Sequence, residues 1–263
     1  MPELPPKARR LAALDGLRGL LATFVLVHHV CVLLGSNALF YPSQGAVWMF
    51  FTMSAHVLTR AWDGRYGLFI VRRLVRLWPV YVTCWFTSCL VIGRGFRWGD
   101  MVWFPLLDLP FAQAGYLPDP PAWSLFVEVW AMPFMPLFVR FGRSGWQLRV
   151  AILAAWLVAW WLERRFFYGI FFLLGAALSS YTPRVRLLEM AVPQWLGRVS
   201  YSLYLSHWPL LLYVRDHAGS RYVPLCVPLT FLLAWLVWFG VETPSIAWSR
   251  RIAAGGRKRA VVF

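Results

Sequence analysis

Residues 14–34 read LDGLRGLLATFVLVHHVCVLL, and this apolar run decides the fold class because it is long enough to cross a bilayer. A transmembrane helix needs about 20 mostly apolar residues. The whole chain of 263 residues shares this character, since 60% of its residues are hydrophobic, 14% are charged and the mean hydropathy is +0.57. Soluble domains contain roughly 45–50% apolar and 25% charged residues. We therefore expect an all-α integral membrane protein.

Eight apolar segments approach the length of a membrane span, so we expect a polytopic transmembrane bundle of about eight helices. One domain should cover residues 1–263, with its apolar core at about 12–245 and a basic cytoplasmic tail at 249–263. A stretch rich in Trp and Phe at 101–116 should be re-entrant or interfacial. The eight segments are 14–34, 45–62, 74–93, 121–140, 148–162, 166–181, 199–214 and 222–243.

The 26 Lys and Arg residues predict the orientation of the bundle, because cytoplasmic loops of membrane proteins carry an excess of positive charge. With a cytoplasmic N-terminus and eight spans, most basic residues fall on the cytoplasmic side. We therefore expect both termini in the cytoplasm and the protein in the inner membrane. The net charge of +15 therefore does not indicate a nucleic-acid partner, because the basic residues are distributed between the apolar spans and form no single basic face. The exceptions on the external side are Arg94, Arg97, Arg164, Arg165, Arg215 and Arg221.

The first span carries the clearest candidate catalytic residues. Arg18 and His29 are eleven positions apart, which at about 100° per residue leaves them about 20° apart on one helix face. By the same count His28 points about 80° away from Arg18. Asp15 lies one turn before Arg18 and could pair with it. A neutral imidazole suits general base work at a hydroxyl, although a histidine that only bonds a neighbouring helix carbonyl is an equally good interpretation of the spacing.

A second one-face pair, Arg73 and Arg76, lies just before the third predicted span. Two guanidiniums at the mouth of a bundle could hold the phosphates of an anionic acyl donor through bidentate bonds. The alternative is that both serve as topology-determining charges or contact lipid headgroups.

The fourth predicted span begins with Ser124 and Glu128 as neighbours one turn apart. A carboxylate inside a span needs a partner. Glu128 could pair with an arginine, position His29 or accept a proton, and we expect it to be catalytic together with Arg18 and His29. Ser124 more often caps or back-bonds a helix than acts as a nucleophile.

Polar residues also form a stripe on the seventh predicted span, where Ser200, Tyr204 and His207 follow at one-turn intervals. Such a stripe could line a cavity, or it could join neighbouring helices by hydrogen bonds. We expect supporting roles for Asp15, Ser124, Tyr204 and His207. No metal site is predicted, because the four cysteines lack CxxC or Cys/His ligand spacing.

Several of these stretches together resemble the membrane-bound acyltransferase family 3, which includes O-acetyltransferases of bacterial surface polysaccharides. The resemblance covers nearly the whole chain in the right order. Its signatures are Leu14-Asp15-Gly16-Leu17-Arg18-Gly19 with His29, Phe50-Phe51-Thr52-Met53-Ser54, Arg72-Arg73-Leu74-Val75-Arg76-Leu77-Trp78-Pro79, Trp123-Ser124-Leu125 with Glu128, residues 197–209, and Glu242-Thr243-Pro244.

The resemblance implies that Arg18 and His29 are the essential pair and that Arg73 and Arg76 engage the acyl donor. It also implies acetyl-coenzyme A as donor substrate, with no permanently bound cofactor, and a hydroxyl of a carbohydrate or related cell-envelope molecule as acceptor. His29 would deprotonate that hydroxyl directly or carry the acyl group itself. The chain departs from the family in showing about eight spans where about ten are usual, and Ala55-His56 where Gly-Phe is usual.

Two other classes of function remain open at this point. A transporter or flippase of a glycan or lipid intermediate would also place ionisable groups inside the membrane. An inactive family member could act as a scaffold. The sequence contains no esterase-like soluble domain, so any second transfer step outside the membrane is expected to need a separate partner protein.

Overall fold

The structure is a computed structural model that describes residues 11–93 and 119–260, and within these ranges it contains helices and no strand. The α-helices are connected, within the described ranges, by turns, by 3₁₀ segments of three to seven residues and by one π-helical turn. They are α1 Ala12–Leu33, α2 Phe40–Ala61, α3 Tyr66–Val91, α4 Trp123–Ala131, α5 Met135–Arg143, α6 Trp146–Leu162, α7 Gly169–Ala177, α8 Ala191–Ala218, α9 Val227–Val237 and α10 Thr243–Ala260.

Membrane-spanning character is strongest in four helical stretches, which are both long and apolar: Ala12–Leu33, Tyr66–Val91, Pro120–Arg143 and Ser220–Ala254. Shorter apolar helices occupy Trp146–Leu162 and Phe166–Ser180. Helices α2 and α8 have 22 and 28 residues but carry more polar side chains. The predicted all-α membrane bundle is confirmed. Each of the eight predicted segments overlaps a helix, and the number of crossings stays a prediction.

The predicted start of the third span was wrong by about two turns. We expected it at residue 74, but α3 begins at Tyr66, so Arg73 and Arg76 lie inside the helix rather than before it. The hydropathy pattern stops at the charged residues, whereas arginine itself is a good helix former and lets the helix continue. The seventh predicted span, 199–214, is likewise extended in α8.

Two of the apolar stretches are interrupted. Pro133 lies in a single 3₁₀ turn, Met132–Phe134, that separates α4 from α5, because proline has no N–H for the helical ladder. A π-helical turn, Trp238–Glu242, separates α9 from α10. Helix α10 then runs on through most of the predicted tail at 249–263, and Ser249 Oγ donates to the Arg72 carbonyl at 3.0 Å. The predicted re-entrant stretch at 101–116 lies outside the described residues.

Helices α1 and α8 run parallel and touch backbone to backbone. A Cβ atom on Gly197 would collide with the Asp15 backbone, and one on Gly19 would collide with the backbone of Leu196 and Gly197. Small residues allow this close approach between membrane helices. We call this contact the α1/α8 seam, and it sets how far apart side chains on the two helices can lie.

One end of the bundle, which we call the basic end, holds the starts of α1, α3 and α8 and the ends of α2, α5 and α10. Its arginines donate to carbonyls near helix C-termini: Arg60 bonds the Ser179 carbonyl and Arg143 bonds the Thr59 carbonyl, both at 2.9 Å. Such bonds satisfy carbonyls that the helices leave unpaired. In the turn between α2 and α3, hydrogen bonds from Arg65 hold the pKa of Asp63 below its usual range.

Candidate active site

A cavity of about 240 Å³ opens at the basic end between α1, α2, α3, α4 and α8. Seven of the predicted site residues line it together. They are Asp15, Arg18, Arg73, Arg76, Ser124, Glu128 and Tyr204. These residues belong to four separate helices, α1, α3, α4 and α8, and the structure brings them to one cavity.

The strongest ion pair in the cavity joins α3 to α4. Arg73 Nη2 lies 2.9 Å from Glu128 Oε2 and donates to Ser54 Oγ at 2.7 Å. Only 12% of the Arg73 side chain and 18% of the Glu128 side chain are exposed, so water screens this pair weakly. Of the three roles considered for Glu128, pairing with an arginine is the one this geometry shows. Ser54, which contacts the same guanidinium, was not among the predicted site residues, although it ends one of the family signatures.

The other two cavity cations are held more loosely. Arg18 Nη1 lies 3.4 Å from Asp15 Oδ1, in a pair whose side chains are 26% and 50% exposed. Arg76 makes no ion pair with any described residue and remains exposed along the cavity wall. Arg76 is therefore a guanidinium that an incoming anion can reach without first displacing a carboxylate.

The candidate base lies on the same helix as Arg18 but outside the cavity lining. His29 Nδ1 is 2.7 Å from Nε2 of His207 on α8, and Nδ1 of His207 is 2.8 Å from the Leu203 carbonyl oxygen. His207 is completely buried, while His29 keeps partial exposure. The ring of the neighbouring His28 lies against the Phe40 ring, with 6.2 Å between the centroids.

Tyr204 connects the two parts of the site. Its hydroxyl oxygen lies 3.0 Å from Ser124 Oγ at the inner end of the cavity, and its ring centroid is 6.3 Å from that of His207. The site therefore consists of a cationic cavity and a histidine pair, which meet at Tyr204.

Glu242, a buried carboxyl group near this cavity, was not among the predicted site residues. Glu242, in the π-helical turn, is 4% exposed and accepts a bond of 2.6 Å from Ser202 on α8. Its position inside an apolar span was the available signal, because such residues usually serve a function. In the sequence, Glu242 stands out only as part of a family signature.

The family model described as an acyltransferase domain of acyltransferase family 3 matches residues 11–191. The chain belongs to acyltransferase family 3. This acyltransferase is also 30% identical over 187 residues to "Protein 2 in picA locus" of Rhizobium radiobacter, a match that covers 59% of this chain and 93% of the relative. No solved structure matches it.

Membership confirms the resemblance predicted from the sequence and identifies the protein as a membrane acyltransferase. The match contains all five charged residues of the cavity. The matched range ends at residue 191, where α8 begins, so Tyr204 and His207 lie beyond it. The role of each site residue stays a prediction.

Proposed function

We propose that this membrane acyltransferase moves an acyl group, acetyl by family resemblance, from a coenzyme A thioester to a hydroxyl of a carbohydrate or related cell-envelope acceptor. One observation carries the proposal. A cavity with three guanidiniums, one of them unpaired among the described residues, adjoins a histidine pair inside the bundle.

The donor's phosphates fit the basic end. Arg76 is exposed to the cavity and can bond a phosphate bidentately, while Arg73 lies one turn away on the same helix. Coenzyme A is a cytoplasmic molecule, so a donor site at the basic end implies that this end faces the cytoplasm. The excess of positive charge at the basic end supports the same orientation, with both termini in the cytoplasm. Together with the proposed cell-envelope acceptor, this orientation fits an enzyme of the inner membrane.

Transfer requires one base and one leaving group. The His29 imidazole takes the proton of the acceptor hydroxyl, whose oxygen attacks the thioester carbonyl. A C–O bond forms, the C–S bond breaks, and the departing thiolate takes the proton back from His29. Arg18 lies about 16 Å from His29 along α1. Arg18 is therefore a donor-binding residue in this proposal rather than a partner of His29 in the bond-making step.

The test compares acyl transfer in membranes that contain wild type, His29→Gln or Arg76→Ala at matched abundance. The assay follows labelled acetyl-coenzyme A into glycan and lipid fractions. Loss of the base should lower kcat by about 10²- to 10⁴-fold. Loss of Arg76 should raise the donor KM by about tenfold or more, because a hydrogen bond to a charged group contributes about 1.5–3 kcal/mol.

Two matched controls come from the opposite end of the bundle. His217 is exposed at the end of α8, and Arg215 pairs with its neighbour Asp216 at 2.6 Å. We expect His217→Gln and Arg215→Ala to leave transfer unchanged. Unchanged transfer in His29→Gln would remove the base from the proposal, and an unchanged donor KM in Arg76→Ala would remove the donor site.

A further inference from the structure

The hydrogen bonds of His207 determine which of its nitrogens carries a proton. A carbonyl oxygen can only accept, so Nδ1 of His207, 2.8 Å from the Leu203 carbonyl, must be the N–H donor. In a neutral imidazole the other nitrogen is then an acceptor. Nε2 of His207 therefore presents a lone pair, and it presents it toward α1.

The partner of that lone pair is Nδ1 of His29, 2.7 Å away. Since Nε2 of His207 accepts, Nδ1 of His29 must donate, and the lone pair of a neutral His29 is left on its Nε2. The two ring centroids are 5.0 Å apart with planes at 19°. The rings thus meet edge to edge and almost coplanar, which points the N–H and the lone pair along the line between them.

We propose that His207 is a positioning residue that holds His29 in the tautomer whose Nε2 accepts the proton of the acceptor hydroxyl. The inference rests on the proposed function and deepens it at the same site. His207 does not touch substrate in this role, because both of its nitrogens are engaged and its side chain is fully buried.

A neutral imidazole suits this task inside a membrane. In the described part of the chain no carboxylate contacts either ring, and an ionised carboxylate buried there would be costly. A histidine supplies the acceptor without a permanent charge. When His29 becomes an imidazolium during transfer, its Nδ1–H still donates to His207, and this bond stabilises the new charge.

Two substitutions separate acceptor geometry from mere packing. The amide of glutamine can place an acceptor oxygen near the position of histidine Nε2, whereas asparagine reaches only the position of Nδ1. We therefore expect His207→Gln to keep kcat within about tenfold of wild type and His207→Asn to lose about 10²-fold or more. The donor KM should stay within about twofold in both, because the phosphates bind in the separate cavity.

The control for these substitutions lies ten residues along the same helix. His217 Nδ1 is 3.0 Å from the Tyr213 carbonyl, so His217, like His207, bonds the carbonyl four residues before it. Unlike His207, His217 is exposed and has no histidine partner among the described residues. His217→Gln and His217→Asn should both behave as wild type. Equal kcat in His207→Gln and His207→Asn would overturn the proposal.

A second measurement needs no activity. Nitrogen NMR of wild-type protein labelled at histidine reports which ring nitrogen is protonated, and the signals are assigned from His29→Gln and His207→Gln. We expect both rings to be protonated on Nδ1 and unprotonated on Nε2. Protonation of His29 on Nε2 would overturn the inference even if the enzyme is active. If wild-type membranes transfer no acyl group, the proposed function fails. The NMR measurement of the two tautomers still tests the proposed hydrogen bond between His207 and His29.

Discussion

The cationic cavity and the α1/α8 seam hold residues of one site by different means. In the cavity, side chains from α3, α4 and α2 meet through charge, as in the Arg73–Glu128 pair with Ser54 beside it. In the seam, backbones meet through glycines, and the histidine pair is carried at a distance that the packing sets.

A ligand can replace the ion-pair contacts of the cavity, but it cannot replace the backbone contacts of the seam. A phosphate can exchange places with a carboxylate, because both bond a guanidinium in the same way. A ligand cannot exchange with a glycine contact between two helices. Under the proposed roles, the cavity is thus suited to binding and releasing a charged donor, and the seam to holding His29 in a constant orientation.

The largest expected effect comes from removing the ion pair between Arg73 and Glu128 in the cavity. Glu128→Ala leaves Arg73 without its carboxylate, and removal of one partner from a buried pair costs about 3–5 kcal/mol. Because both side chains keep some exposure, we expect the free energy of unfolding to fall by about 2–3 kcal/mol. Thermal unfolding in detergent, with Glu128→Gln as the isosteric control, measures it. A loss below 1 kcal/mol would mean that the pair contributes no more than a surface pair.

The next effect tests the seam. Gly197→Ala places a methyl group against the Asp15 backbone, and overpacking of this kind costs about 1–3 kcal/mol. Turnover should also fall, because the helices that carry the two histidines move apart. Gly45→Ala in α2 is the control, since a Cβ there meets open space, and it should be neutral or stabilising by up to about 1 kcal/mol. Equal unfolding temperatures for the two variants would contradict the packing account.

A smaller effect sharpens the difference within the cavity itself. Asp15→Asn removes the partner of Arg18 from a longer and half-exposed pair, so the free energy of unfolding should change by less than about 1 kcal/mol. The same unfolding assay checks it against Glu128→Gln. If Asp15→Asn lowered the free energy of unfolding more than Glu128→Gln, burial would not explain which of the two ion pairs stabilises the fold more.

The smallest effect lies outside both regions. Arg65 lowers the pKa of the exposed Asp63, so this pair stabilises the fold above the usual Asp pKa of about 3.9 and loses its effect as the pH falls through the lowered value. Solvent screening limits the contribution at neutral pH to about 0.5 kcal/mol. Unfolding of Asp63→Asn at pH 7 and pH 3 should differ from wild type only at pH 7.

Sequence patterns predicted the parts of the site that depend on helical periodicity. Apolar length predicted the spans, and spacing placed Arg18 and Arg73 on faces that the structure brings to one cavity. Spacing within a helix cannot state which residue of another helix will be met. His29 and His207 are 178 positions apart, so their contact depends on how α1 and α8 pack.

The case of Glu128 shows the same limit. Its place inside a span showed that it needs a partner, but three partners or roles were compatible with the sequence. The choice of Arg73 follows from the crossing of α3 and α4, which tertiary packing decides. The early start of α3 was missed for a different reason, because hydropathy ends where the arginines begin while helical structure does not.

The parallel seam between α1 and α8 also determines at which point of synthesis His29 and His207 can meet. Chains are synthesised from the N-terminus, so the helices that bear all five charged residues of the cavity are complete before α8 emerges. Until then His29 has no partner on α8. If His29 is the base and the cavity binds the donor, as proposed, a chain that ends before α8 would have the cations that attract a donor but no oriented base. Such a chain would not transfer the acyl group, so activity would begin only once α8 has packed against α1.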